Sequence, residues 1–147
     1  MSDNVLIDTN IWVYLYALNP PAKREKAQQL IDGSFQNIVV SSQILGELYH
    51  VLTRKGLQDP SSAREIVVET VGAFFVAEIG VEHVLEAMSL HQHYRYSYWD
   101  SLVIATALLN GCRSLYSEDM QHGQVIEDKV QIINPFIYSV QEKYFGT

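Results

Sequence analysis

Val5-Leu6-Ile7-Asp8-Thr9-Asn10-Ile11-Trp12-Val13-Tyr14 is the stretch that decides how the chain is read. Val5 to Ile7 is a short apolar run with β-branched ends, and Asp8-Thr9-Asn10 stops it, which predicts a buried strand running into a loop or helix start. The acid then lies at the strand's carboxyl end. Ile11 to Leu18 is dense in apolar and aromatic residues and halts before Asn19-Pro20-Pro21, because a proline disfavours helix in the residue before it. About two buried helical turns are expected there.

The same alternation recurs outward from this stretch. Pro21 suits the first turn of a helix that carries Lys23, Arg24 and Lys26 opposite Ala27, Leu30 and Ile31 and ends near Gly33. Ile38 to Val40 reads as a strand, Ser41-Ser42 as a cap, and Leu45, Leu48 and Leu52 as the apolar face of a helix reaching Lys55-Gly56. Asp59-Pro60-Ser61-Ser62 opens a further helix through Val67, Val68 and Val71. Phe74 to Ile79 fits a strand, although Val67 to Phe75 reads equally well as one long helix end. Val81 to His93 is amphipathic. Trp99 to Leu109 is apolar nearly all round with Asp100 as its only charge, which predicts a helix in the middle of the fold. Leu115-Tyr116 and Val130 to Ile133 supply two more strands. Strands alternating with helices predict an α/β fold of three α/β/α layers around a mostly parallel sheet of four or five strands.

Composition bounds the rest. With 147 residues, 48% hydrophobic and 18% charged, the chain is expected to form one domain over residues 1–147, with no linker, repeat or low-complexity tract. The single cysteine, Cys112, excludes an internal disulfide and a cysteine-rich zinc site, and a reducing cytoplasm fits it best. The longest apolar run, Ile11 to Leu18, is far short of the roughly 20 residues of a spanning helix, and Met1-Ser2-Asp3-Asn4 does not read as a secretory leader.

Four acids fall at strand ends or on apolar helices: Asp8, Glu47, Asp100 and Asp119, with Glu118 beside the last. In an open α/β sheet ligands collect outside the carboxyl ends of the strands, where Asp8 and Ser117-Glu118-Asp119 are both expected. Glu47 lies about 60° from Ile44 and 40° from Val51 on a helical wheel, so it borders the apolar face. Taken singly, each acid has a plain role: Asp8 as a helix cap, Asp100 as a first-turn partner of the helix dipole, Glu47 as a solvated flank, and Ser-Glu-Asp as an exposed turn. Together they say more. Converging carboxylates repel and imply a bound cation, and all-oxygen donors select a hard one, Mg²⁺ or Mn²⁺. One divalent ion leaves four carboxylates still negative, so one or two ions are expected. Phosphodiester hydrolysis by a metal-activated water suits that arrangement.

These motifs in this order, Val5-Leu6-Ile7-Asp8-Thr9-Asn10, Gly46-Glu47-Leu48, Tyr98-Trp99-Asp100-Ser101 and Tyr116-Ser117-Glu118-Asp119-Met120-Gln121-His122-Gly123, resemble the PIN-domain family and, within it, the toxin-type ribonucleases known as VapC. The resemblance covers essentially the whole chain. It implies a metal-dependent endoribonuclease with Asp8, Glu47, Asp100 and Asp119 as its catalytic acids. Asp8, Asp100 and Asp119 would be metal ligands, with Glu118 as an outer one. Thr9, Asn10 and Ser117 match polar positions that orient metal, water or phosphate. It further implies an RNA substrate, a small antitoxin partner and a homodimer. Ser101 stands where an alanine is more usual.

The net charge of −7 argues against a broad basic RNA-binding face, but it includes these five acids, and the rest of the chain carries only −2. Lys23, Arg24 and Lys26 are candidate RNA contacts, as are Arg95, Tyr96 and Tyr98, where cations and aromatics interleave just before Asp100. The tyrosines serve equally well to pack that loop onto the body. His91, His93 and His122 are read as non-ligands. Three other functions compete. A phosphatase using Asp8 as nucleophile is disfavoured because position 10 is Asn, not Asp. A non-cleaving RNA- or protein-binding module would not need every acid. A PIN domain of RNA processing would carry the same acids without a toxin role.

Overall fold

The computed structural model describes residues 3–137. Residues 1–2 and 138–147, which the single-domain reading includes, lie outside the described residues. The chain forms β1 (Val5–Ile7), α1 (Thr9–Tyr14), α2 (Pro21–Ser34), β2 (Ile38–Ser41), α3 (Ser42–Arg54), α4 (Pro60–Ala73), β3 (Phe75–Ala77), α5 (Val81–Tyr94), α6 (Tyr98–Leu109), β4 (Ser114–Tyr116), β5 (Val125–Ile126) and β6 (Val130–Ile133). The strands form one sheet in the order β3-β2-β1-β4-β6-β5, parallel except for the β5–β6 pair.

The sequence places these elements closely, with instructive differences at three points. α1 begins at Thr9 and ends at Tyr14, short of Leu18, because Leu15 and Tyr16 turn back to bond the carbonyls of Trp12 and Val13 ahead of the proline pair. α4 stops at Ala73 and β3 follows at Phe75, which resolves the two readings of that segment in favour of the strand. The two-residue strand β5, too short to show alternation, adds an antiparallel edge through a turn in which Glu127 and Asp128 both take positive φ, the geometry that joins hairpin strands.

Strand order carries the function. The chain leaves the central β1 for β2 and β3 on one side, then returns to β4 on the other. With right-handed crossovers, α1 to α4 cover one face and α5 and α6 the other. The direction of winding reverses between β1 and β4, and there the helix-bearing loops part to leave a crevice at the strands' carboxyl ends. The register aligns Ile7 with Tyr116, so Asp8 and Ser117 emerge side by side at that crevice.

The core beneath it is tightly closed. Leu6, Ile7, Ile11, Val40, Ile44, Leu48, Leu52, Ile104, Leu115 and Ile132 are fully buried. Each such large side chain contributes about 1.5–3 kcal/mol by leaving water. Ser101 to Ala107 of α6 are all buried, as its nearly uniform apolar sequence predicts. The rigid core fixes where α6 begins, and hence where Asp100 stands.

Candidate active site at the strand switch point

Asp8, Glu47, Asp100 and Asp119 line a single cavity of ≈ 400 Å³, together with Thr9, Asn10 and Glu118. Each acid arrives by a different local route. Asp8 is the residue after β1 and caps α1, accepting from the Thr9 N–H at 2.8 Å. Its second oxygen accepts from the buried Ser117 hydroxyl at 2.9 Å, so β4 grips the acid that β1 delivers. Ser97 caps α6 by accepting from the Asp100 N–H at 3.0 Å, which sets Asp100 in the first turn facing the crevice. Ser41 caps α3 in the same manner, and Glu47 follows one and a half turns later on the flank of its apolar face.

Neutral donors hold these carboxylates in place. The Thr9 hydroxyl donates to Glu47 at 2.9 Å, and the Gln43 amide donates to the other Glu47 oxygen at 2.9 Å. Gln43 also donates to the Trp99 carbonyl at 3.2 Å, which ties α3 to the start of α6. Asn10 donates to Asp119 at 2.8 Å. The electrostatic result is a strained cluster. Burial raises the Asp8 carboxyl to about 6 against the bonds from Ser117 and Thr9, and the charges of Asp100 and Glu47 add to the rise. Burial also raises Asp100, reinforced by Asp119 and Glu47. A cation is what relieves such a cluster. The donor set is all oxygen, the chemistry of a hard divalent ion. Among the described residues no three His, Cys, Asp or Glu side chains are grouped closely enough to ligate one ion.

The model of the PIN domain family matches residues 5–126. This chain belongs to that family. Solved structures of similar fold include a toxin–antitoxin complex from Klebsiella pneumoniae, 19% identical over 90% of this chain and 98% of the other, with a TM-score of 0.69. The sarcin-ricin-loop-cleaving toxin VapC20 of Mycobacterium tuberculosis is 19% identical over 76% of this chain and 87% of its own, at 0.63. The DNA-bound VapBC complex of Salmonella typhimurium is 14% identical over 90% and 97%, at 0.67. At these identities the likeness is one of fold. No curated protein matches the chain in sequence.

Around the acids, several of the other candidate side chains of this PIN domain have partners of their own. Glu118 lines the cavity, but its oxygens accept from the Tyr14 hydroxyl at 2.6 Å and from Lys23. Burial opposes its ionisation, yet the Lys23 and Tyr14 bonds outweigh that and hold its carboxyl below the usual range. Lys23 is thereby engaged and lies over the Tyr14 and Phe136 rings. Arg24 is exposed away from the cavity, and Lys26 lines a separate hollow with His122 and Tyr116. The tyrosine-rich loop is a fastening. Tyr96 accepts from the Gln121 N–H and donates to Gln124, Tyr94 accepts from the Glu127 N–H, and Tyr98 packs edge-on against Trp99. Arg95, at the left-handed end of α5, is exposed. None of the six expected RNA contacts lines the acid cavity.

Two cations that do line it, Arg54 and Lys55, escaped the sequence reading, as did Gln43. The signal for Arg54 was present: it stands seven residues after Glu47 and so falls on the same helix face.

Proposed function

We propose that this PIN domain is a Mg²⁺- or Mn²⁺-dependent endoribonuclease that hydrolyses RNA phosphodiester bonds, acting as the toxin of a toxin–antitoxin pair. The observation that carries this reading is the convergence of Asp8, Glu47, Asp100 and Asp119 on one cavity, with burial and mutual repulsion raising Asp8 and Asp100. Neighbours of the same fold support the biological half. One is a sarcin-ricin-loop-cleaving toxin, one a toxin–antitoxin complex, and one a VapBC complex bound to DNA.

Asp8, Asp100 and Asp119 are the residues that would hold one or two ions, with Glu118 in an outer position. A divalent ion bound there supplies Lewis acidity toward phosphate and lowers the pKa of water. The chain's own residues do the rest. Ser117 and Thr9 fix the plane of the Asp8 carboxylate, Asn10 fixes Asp119, and Ser97 fixes the backbone of Asp100. With those three acids committed, Glu47 is the carboxylate free to take the proton of the attacking water, and Thr9 and Gln43 hold it for that purpose. An antitoxin would mask the cavity by directing a cationic side chain at the carboxylates. A homodimer acting in the cytoplasm completes the proposal, and among the described residues no helix is long and apolar enough to cross a membrane.

The test is cleavage of a mixed RNA pool by purified protein with Mg²⁺ or Mn²⁺, beside EDTA and an Asp100→Asn variant prepared identically. Metal-dependent cutting that disappears in the variant is the expected result. Equal cutting by both proteins, or none by folded wild type with either ion, overturns the reading.

A further inference from the structure

The cavity that gathers the acids is not acidic all round. Val13 and Val51 give it an apolar strip, and Arg54 and Lys55 give it a cationic wall. Glu47, Val51 and Arg54 occupy one face of α3 at spacings of four and seven residues, so Arg54 stands about 10 Å along the helix from Glu47. The helix ends there by construction. Gly56 takes a φ of 68°, its N–H bonds the Thr53 carbonyl, and the Leu57 N–H bonds the Leu52 carbonyl, a closure that stops α3 with both cations at the cavity's edge.

Both cations are exposed, and among the described residues the ion pairs are Lys23 with Glu118 and Arg113 with Asp3. Arg54 in a last helical turn suits the dipole, which accounts for its charge but not for its place on the wall of an acid-lined cavity. Cations that served stability there would pair with the acids, as Lys23 does. Left apart, the two signs describe a ligand that is met by carboxylates and cation at one point and presents bare anionic groups a short distance away. A polynucleotide strand has that pattern: one phosphate at the reacting centre, sugar and base against Val13 and Val51, and neighbouring phosphates beyond.

We propose that Arg54 and Lys55 form a clamp for the phosphates flanking the cleaved bond, so that single-stranded RNA runs along α3 from Glu47 toward its carboxyl end. This rests on the ribonuclease reading. Arg54 suits the role because its planar guanidinium takes a phosphate bidentately, while Lys55 acts as a point charge.

The experiment measures binding of a fluorescent single-stranded RNA oligonucleotide by anisotropy over a series of salt concentrations. It uses Asp100→Asn protein, which leaves the RNA intact, alone and combined with Arg54→Ala, Arg54→Lys, Lys55→Ala or the exposed, remote control Arg64→Ala. Arg54→Ala is expected to weaken binding about tenfold and to lower the slope of log K against log salt by about 0.7, one phosphate contact on a single strand. Arg54→Lys is expected to restore the slope and part of the affinity, which a purely structural residue would not do. In otherwise wild-type protein Arg54→Ala is expected to raise KM more than it lowers kcat. Unchanged binding and slope, weaker binding with an unchanged slope, a loss confined to kcat, or no RNA binding at all overturns the clamp. If wild type cuts no RNA while Arg54-dependent, salt-sensitive binding persists, the ribonuclease reading fails and what stands is an Arg54 phosphate contact on bound RNA, without a cleaved bond to flank. If wild type cuts and Arg54→Ala changes nothing, only the clamp fails.

Discussion

Glu118 and Asp119 are neighbours in one loop, yet they belong to two different electrostatic regions. Glu118 turns to Lys23 and Tyr14, and its carboxyl is held below the usual range. Asp119 turns to the neutral Asn10 and helps push up Asp100, in a cluster where Asp8 reaches about 6. In the first corner a cation and a hydroxyl compensate the carboxylate, whereas in the second burial and neighbouring acids disfavour ionisation, the pattern on which the proposed function rests.

The largest effect that separates the two regions is catalytic. Asp100→Asn is expected to lower metal-dependent RNA cleavage at least about a thousandfold, whereas Glu118→Gln should cost less than about tenfold, both measured as initial rates. Comparable losses in both would erase the distinction.

The next effect is on stability. The raised carboxyl of Asp8 means that the folded protein binds its proton more tightly than the unfolded chain, whose value is 3.8. Stability from this group is therefore complete below about pH 4 and is lost as pH rises through about 6. In chelator, Asp8→Asn should be more stable than wild type by up to about 3 kcal/mol at pH 7, with the gap closing near pH 4, as read by urea denaturation at both pH values. A variant that is less stable at pH 7 would show that Asp8 is a structural cap first.

Ion binding should produce a shift of similar size. Mg²⁺ at a hundred times its Kd is expected to stabilise wild type by about 2.7 kcal/mol, and Asp8→Asn or Asp119→Asn should lose most of that shift while Glu118→Gln keeps it. Thermal melts with and without the ion check this. The smallest effect belongs to the Glu118 corner. Glu118→Gln should destabilise by about 0.5–1 kcal/mol at pH 7, since Lys23 is partly exposed and solvent screens the pair. A depressed carboxyl contributes above its unfolded value, so this difference should fade as pH falls below about 4.5.

Several features were legible in the sequence because they are local. Val5–Ile7 before Asp8, the Ser41 cap before an apolar face, and the uniformly apolar run after Trp99 each follow from period, capping and burial over a few residues, and each formed as read. The strand over Val125–Ile126 was not legible, because two residues carry no alternation and its pairing depends on β6 beside it.

The four acids were legible too, through strand ends and a lone charge on an apolar helix, and the sheet's winding then carried all four to one cavity. What the sequence could not rank was the neighbours' use of their charges. Lys23 and Arg54 are both cations on helices, but α2 brings Lys23 to Glu118 while α3 leaves Arg54 at the cavity's edge with no ion-pair partner among the described residues. Likewise the hydroxyl of Tyr96 is fastened to Gln121 and Gln124, from a loop 25 to 28 residues on, a use that only the tertiary structure shows. Sequence by itself determined which segments fold and which acids are candidates for a common site, since backbone preference and burial act over a turn or a strand. Which charges are spent and which remain available was decided only by the tertiary structure, because electrostatic energy depends on distances set by the packing of segments far apart in the chain.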